Sequence, residues 1–365
     1  MDTLFAAFRP PFCPRPWCRY HLNPAGWRWV RFGSFSRHCP PRIIPRFRCR
    51  HCGSTFSSQS FSVTYYLKRP ELLEPIFQRV NACSGFRQIA REARCSPTTV
   101  MGQAARLGRH ALLFLHEHRP RTRLAEPIVM DGFESFAYSQ YHPLHLNVAV
   151  GAHSHFVYGF TLTELRRKGR MTAAQRRRRA ALEARYGRPD PKALELSIAE
   201  LIPLAAPGSY PLTIRSDEHP AYPRALRRLR PRFIRHECTP SVDARTPKNP
   251  LFPVNLLDLL LRHNSANHKR ETIAFSKRHQ SVVERAALLV VWRNFVKLFS
   301  ENHGGGTPAM RIGLHERPLR LRELLDRRLS PSRVGLPKEW ELYYQRKIPT
   351  SRIANPRQHR LKLAA

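Results

Sequence analysis

The sequence predicts an α/β fold: a mixed five-stranded sheet with helices, preceded by a small metal-stapled module and a helical one. Three observations predict it. Short runs rich in β-branched and aromatic residues, "PIVMDGFESF", "LHLNVAV" and "HFVYGFTLTEL", follow one another from Pro127 onward. Two more runs, "YPLTIRSD" and "RFIRHE", alternate with segments of helical pattern, as α/β chains do. The first 62 residues are rich in Pro, Arg, aromatic residues and Cys but poor in aliphatic ones, so they need a staple rather than a core.

Composition limits the class. The chain has 365 residues, room for two or three domains. Lys and Arg number 63 against 26 Asp and Glu, a net charge of +37 spread along most of the chain. So basic a protein repels itself unless it meets a polyanion, and nucleic acid is the usual one. No run of about 18 apolar residues suggests a membrane span. The N-terminus lacks the pattern of a signal peptide. A cytoplasmic, nucleoid-associated protein is expected, and there clustered cysteines point to metal rather than disulfides.

Residues 1–62 are read as a zinc ribbon. Cys13 and Cys18 form one close pair, and Cys49 and Cys52 form a second, followed by Gly53 in a tight turn. Two such pairs joined by a longer segment supply four thiolates for a tetrahedral Zn²⁺. "GWRWVRFGSFS" and "RIIPRFRCRHCGSTFS" read as two strands. Cys39 lacks a paired cysteine. Cys83, Cys95 and Cys238 read as ordinary buried thiols.

Residues 63–118 are read as a helix-turn-helix. Ile89, Ala90 and Ala93 make the inner stripe of a first helix, and Arg94 and Cys95 the turn. Ser96 caps a second helix with Pro97 at its first position. Thr98, Thr99 and Gln103 are expected to face outward, as in a recognition helix in the major groove of double-stranded DNA. Arg87, Arg91 and Arg106 are expected on phosphates.

Residues 124–303 are read as the catalytic unit. Asp131 ends the apolar run "PIVM", and Asp217 follows "YPLTIRS" in the same way. Two acids at the ends of neighbouring strands suit a two-metal phosphoryl-transfer site, in which carboxylates hold two Mg²⁺ (or Mn²⁺) ions about 4 Å apart. The basic helical insertion near 165–190 carries Arg176, Arg177, Arg178 and Arg179, read without acidic partners and therefore as a grip on DNA phosphates. Residues 304–365 are expected to form a loosely ordered basic tail.

Taken together, "CPRPWC", "FRCRHCGSTFS", "VMDGFESF", "LRRKGRMTAAQ", "IRSDEHPAYPRAL", "NLLDLLLRH", "RETIAFSKRHQSVVERAALLVVWRNFVK" and "GTPAMRIGL" resemble, in this order, the DDE transposases of bacterial insertion sequences with an N-terminal zinc ribbon and helix-turn-helix. The resemblance implies a ribonuclease H-like catalytic domain with Asp131 and Asp217 as its first two acids. It implies a third acid on a later helix. There Asn255 aligns with the family glutamate, Asp258 shares its helix face, and Glu284 lies on the next helix; Asp258 ranks first. Arg262, Lys269 and Arg270 are then contacts to transposon-end phosphates. The implied activity is hydrolysis at the transposon ends, followed by strand transfer to target DNA, by at least a dimer. The alternatives are a DNA-binding regulator without chemistry and a decayed transposase.

Overall fold

The computed structural model describes residues 8–120, 123–208, 210–229 and 233–350. At the front, β1 (Trp29–Ser36), β2 (Ile43–Cys49) and β3 (Thr55–Ser57) form an antiparallel meander. The second cysteine-bearing passage thus yields two strands rather than the one expected, with the Cys49–Cys52 turn between them. Its core is aromatic: Phe47, Phe56 and Phe61 pack with Trp27 and Trp29 around the buried cysteines.

Three helices follow: α1 (Leu73–Val80), α2 (Phe86–Glu92) and α3 (Pro97–Glu117). The turn between α2 and α3 has the expected chemistry. Arg94 takes a left-handed conformation at φ 46°, and the Ser96 hydroxyl accepts the Thr98 N–H at 3.2 Å. Beyond its first turns, however, α3 is a core helix rather than a surface one. Val100, Leu107, Leu112 and Leu113 are buried and belong to one apolar cluster with the central sheet, so the helical region shares its core with the rest of the molecule.

The sheet has the order β6-β5-β4-β7-β8. Its members are β4 (Ile128–Phe136), β5 (Pro143–Gly151), β6 (Val157–Glu164), β7 (Leu212–Ser216) and β8 (Ile234–Cys238). β5 runs antiparallel to both its neighbours, whereas β4, β7 and β8 pair in parallel. Between β6 and β7 come α4 (Ala173–Tyr186) and α5 (Ala193–Ala205). α5 covers β5 and β6. α6 (Ala221–Arg228) links β7 to β8 and packs on α5. On the other face α7 (Phe252–Asn264) lies against β4 and β5, and α8 (His279–Val291) crosses α3. The α3–α8 crossing is close: a Cβ on Gly108 would stand 2.6 Å from that of Glu284.

The tail expected to be loosely ordered is packed over its described residues. Leu324, Leu329, Trp340, Tyr343 and Tyr344 are buried. The Trp340 indole donates to the Phe160 carbonyl at 3.0 Å, and the Tyr343 hydroxyl accepts the Leu162 N–H at 2.8 Å. Burying these large rings outweighs the charge that suggested disorder. Residues 351–365 of that tail lie outside the described residues.

Candidate functional site

The sheet topology creates a crevice. From β4 the chain winds through β5 and β6 on one side, then crosses over to β7 on the other. Open α/β sheets bind ligands where the strand order reverses, and here that point lies between β4 and β7. Ile128 pairs with Ile214 and Val129 with Arg215. The pairing ends there: Asp131 stands two residues further along β4, on the face it shares with Phe133, and Asp217 directly follows β7. That face carries α7, because Phe133, two residues beyond Asp131, lies 4.7 Å beneath the Arg262 guanidinium of that helix.

Electrostatics report the convergence. Burial raises Asp131 to about 6, with the Asp217 carboxylate adding to the shift and the Gly132 N–H, 2.7 Å from Oδ1, opposing it. Burial raises Asp258, on α7, to about 8, and its next cause is Asp131. Asp258 Oδ1 is buried with no hydrogen-bond partner. Tyr222 on α6 is raised well above its ordinary value by burial and then by Asp131, Asp217 and Asp258. One phenol therefore senses all three carboxylates. Such a set, short of hydrogen-bond donors, suits a divalent cation. It is looser than the cysteine cluster: among the described residues only the four cysteines bring at least three metal-ligating atoms within 4.8 Å of one another.

The other sequence candidates separate. Asn255 lies one turn before Asp258 on α7 and is half-buried. Glu284 does not join the site. It is buried between α3 and α8, 3.9 Å from Arg109 and 3.1 Å from Arg346, and accepts from Gln280. The expected surface or catalytic acid is a core ion pair, a role assigned by the helix crossing. Arg262 points inward to Phe133 and the Glu134 carbonyl, so it frames the site rather than standing free for phosphates. Lys269 and Arg270 are exposed.

Two recognition-helix residues are corrected in the same way. Gln103 is buried and donates to the Arg69 carbonyl at 2.9 Å. Arg106 is buried and donates to the Val63 and Tyr65 carbonyls. Both lie on the α3 face that the shared core claims. Arg87, Arg91 and Thr98 are exposed and Thr99 half-buried. On α4, Arg176, Arg177 and Arg178 are exposed, but Arg179 is 3.4 Å from Glu183, which also takes Arg166 at 2.8 Å. The arginine run therefore does have an acidic partner. Cys238, expected buried, is exposed.

Three residues near the acids have no counterpart in the sequence reading: Tyr222, Arg245 and, on the opposite face of the sheet from Asp131, His145. Tyr222 sits five residues after Asp217 in the same quoted string, a near signal. His145 comes from β5, and its ring occupies the space where a Cβ on Gly132 would lie, 1.5 Å from Cε1. Its Nδ1 is 2.7 Å from Asn147 Oδ1. Arg245, exposed in the loop before α7, lowers both Asp131 and Asp258.

At the front, the Cys13 and Cys52 sulfurs are 3.7 Å apart. A tetrahedral zinc with bonds of about 2.3 Å needs sulfurs about 3.8 Å apart, so the four thiols fit that ion. Burial opposes ionisation of Cys49, but the Cys52 and His51 backbone N–H groups and the Trp27 indole outweigh it and lower the thiol to about 7. Gly53, at φ 69°, closes the turn by donating to the Cys49 carbonyl at 3.0 Å. Cys39 is not part of the cluster.

No protein-family model matches the chain, and no curated protein does. Among solved structures, the chain is similar to one from the cryo-EM structure of a simian T-cell lymphotropic virus intasome in complex with the PP2A regulatory subunit B56 gamma. Identity is 15%, the match covers 67% of this chain and 74% of that one, and the TM-score is 0.26. At that score the likeness carries no argument about function. Among the described residues no helix is long and apolar enough to cross a membrane.

Proposed function

We propose that the chain is a DNA transposase of the DDE type, with a ribonuclease H-like catalytic domain, that cuts phosphodiesters and joins strands. The observation that carries this reading is the approach of three carboxylates from neighbouring elements: Asp131 inside β4, Asp217 just after parallel β7 and Asp258 on α7, with Tyr222 sensing all three. The strand order, with β5 alone reversed against β4, supports it. So does the net charge of +37.

In this reading Asp131, Asp217 and Asp258 hold Mg²⁺ or Mn²⁺, with Asp258 rather than Asn255 or Glu284 as third acid. Bound divalent ions would activate water or a 3′-hydroxyl and stabilise the leaving oxygen. Asp131 and Asp258 retain protons readily because they are buried, so cation binding and proton loss are coupled. Tyr222 walls the crevice, and exposed Arg245 offers a charge to the phosphate. Duplex DNA is held by the exposed residues Arg87, Arg91, Thr98, Lys269, Arg270 and Arg176 to Arg178, and by the zinc-bound ribbon. The protein acts as a homo-oligomer that brings two DNA ends together.

The test is cleavage of DNA carrying the element's terminal repeats in Mg²⁺ or Mn²⁺. Cutting by the wild type that falls at least a thousandfold in Asp131→Ala or Asp217→Ala supports the reading. Equal cutting by wild type and Asp131→Ala, or none with any divalent ion, overturns it in favour of a DNA-binding regulator or a decayed enzyme.

A further inference from the structure

A groove of about 1420 Å³ lies between the ribbon and the C-terminal helices, far in sequence from the acids. Three large aromatic side chains line it while remaining open to solvent: Trp17 is 72% exposed, Tyr66 68% and Phe35 43%. Cations stand among them. The Arg15 guanidinium lies 5.4 Å from the Trp17 ring, half-buried Arg46 lines the wall, and Lys68 is exposed beside Tyr66. Glu341 is the sole carboxylate among the lining residues. Water is a poor solvent for exposed aromatic faces, and clustered cations in a concave wall favour an anion.

The occupant follows from charge and shape. A second copy of this chain, at +37, brings the groove no net negative charge. Nor does the chain's own C-terminal segment, since residues 351–365 contain three Arg and one Lys but no acid. A DNA duplex offers phosphates, but its base faces are hidden in the stack and leave Trp17 and Tyr66 without partners. Unpaired nucleotides offer both phosphate and open π faces, the pairing that single-strand grooves exploit.

We propose that this groove binds unpaired nucleotides of a DNA strand, stacking bases on Trp17 and Tyr66 and pairing phosphates with Arg15, Arg46 and Lys68. The proposal rests on the nucleic-acid part of the reading above, not on catalysis. A strand melted from the DNA end and held here would be kept apart from its complement while the rest of the protein grips the duplex.

The experiment measures fluorescence anisotropy of full-length, zinc-loaded protein with a labelled oligothymidylate of about twelve nucleotides. A duplex of equal length and a polyglutamate peptide serve as competitors. The expected result is binding that weakens roughly tenfold in Trp17→Ala and in Tyr66→Ala, with Trp17→Phe close to wild type. Zinc content and melting temperature stay unchanged, and duplex affinity falls far less than oligonucleotide affinity. Because Trp17 adjoins a zinc ligand, the exposed Lys68→Glu variant gives a second reading and also weakens oligonucleotide binding. Absence of binding by the wild type, unchanged affinity in all variants, parallel losses for duplex, or equal displacement by polyglutamate would each overturn the proposal. Protein that holds the oligonucleotide through Trp17 yet cuts no DNA overturns the catalytic reading and keeps this one. DNA cutting without oligonucleotide binding does the reverse.

Discussion

Asp258 illustrates how burying a single acid lowers stability. In the unfolded chain it ionises near 3.8, and in the fold near 8, because burial and Asp131 both disfavour its charge. Below the lower value it is protonated in both states and neutral in effect. As pH rises toward 8, the unfolded state loses the proton first, and stability drains away. Removing the charge reverses this. Asp258→Asn is expected to raise the stability of metal-free protein by about 2–4 kcal/mol at neutral pH and by almost nothing below pH 4. Urea unfolding at the two pH values, in chelator, measures the difference, and an equal gain at both would refute the burial argument. DNA cleavage by the same variant is expected to be lost. Asp131 and Asp217 were legible in the sequence because each ends an apolar run. Tyr222 was not, because nothing local marks it: a ring becomes part of a crevice only when another strand or helix brings carboxylates to it.

At the scale of elements, α4 is an arm. Leu182 is its one buried residue, and a Thr172–Gln175 capping box starts it. Its Arg176, Arg177 and Arg178 carry no packing load, so replacing all three with Ala is expected to leave the melting temperature within a degree or two. In a salt titration of duplex binding, the slope of log affinity against log salt should shrink by roughly two to three. An unchanged slope would show that the arm does not touch DNA. The Arg179–Glu183 pair was available from the i,i+4 spacing. α3 shows the opposite case. Its cap and turn were readable from Ser96 and Pro97, but its outward face was assigned from a two-helix pattern. The helix is also covered by the segment before α1, whose Val63, Tyr65 and Arg69 carbonyls take the donors of Arg106 and Gln103 and leave both residues buried. Periodicity gives a helix its stripes, and the number of neighbours decides how many stripes are covered.

The molecule as a whole is held together by its last described fifty residues. They bury Trp340 and Tyr343 against β6, and Leu324 receives the imidazole of His110 on its carbonyl at 2.7 Å. Trp340→Ala is expected to cost about 3–5 kcal/mol. It should lower the urea midpoint with little change in slope. A loss below 1 kcal/mol would mean that this segment is an appendage after all. Stripping zinc tests the other end. Chelation should unfold residues 8–57, read as loss of the ribbon's aromatic near-ultraviolet signal, and leave the sheet's cooperative transition in place.

Local chemistry alone determined much of this protein: the five strands and their order along the chain, the helix cap at Ser96, the four zinc-fitting cysteines, and the two acids that follow strand-like runs, though β4 runs on past Asp131 to Phe136 and holds that acid inside the strand. Each rests on interactions between residues near in sequence or on a spacing that only one geometry satisfies. Tertiary structure alone decided that Asp258 rather than Glu284 faces Asp131, that Arg106 and Arg262 point inward, and that a basic tail becomes core. Those outcomes depend on which helix crosses which, and a buried charge takes its role from whatever the crossing brings beside it.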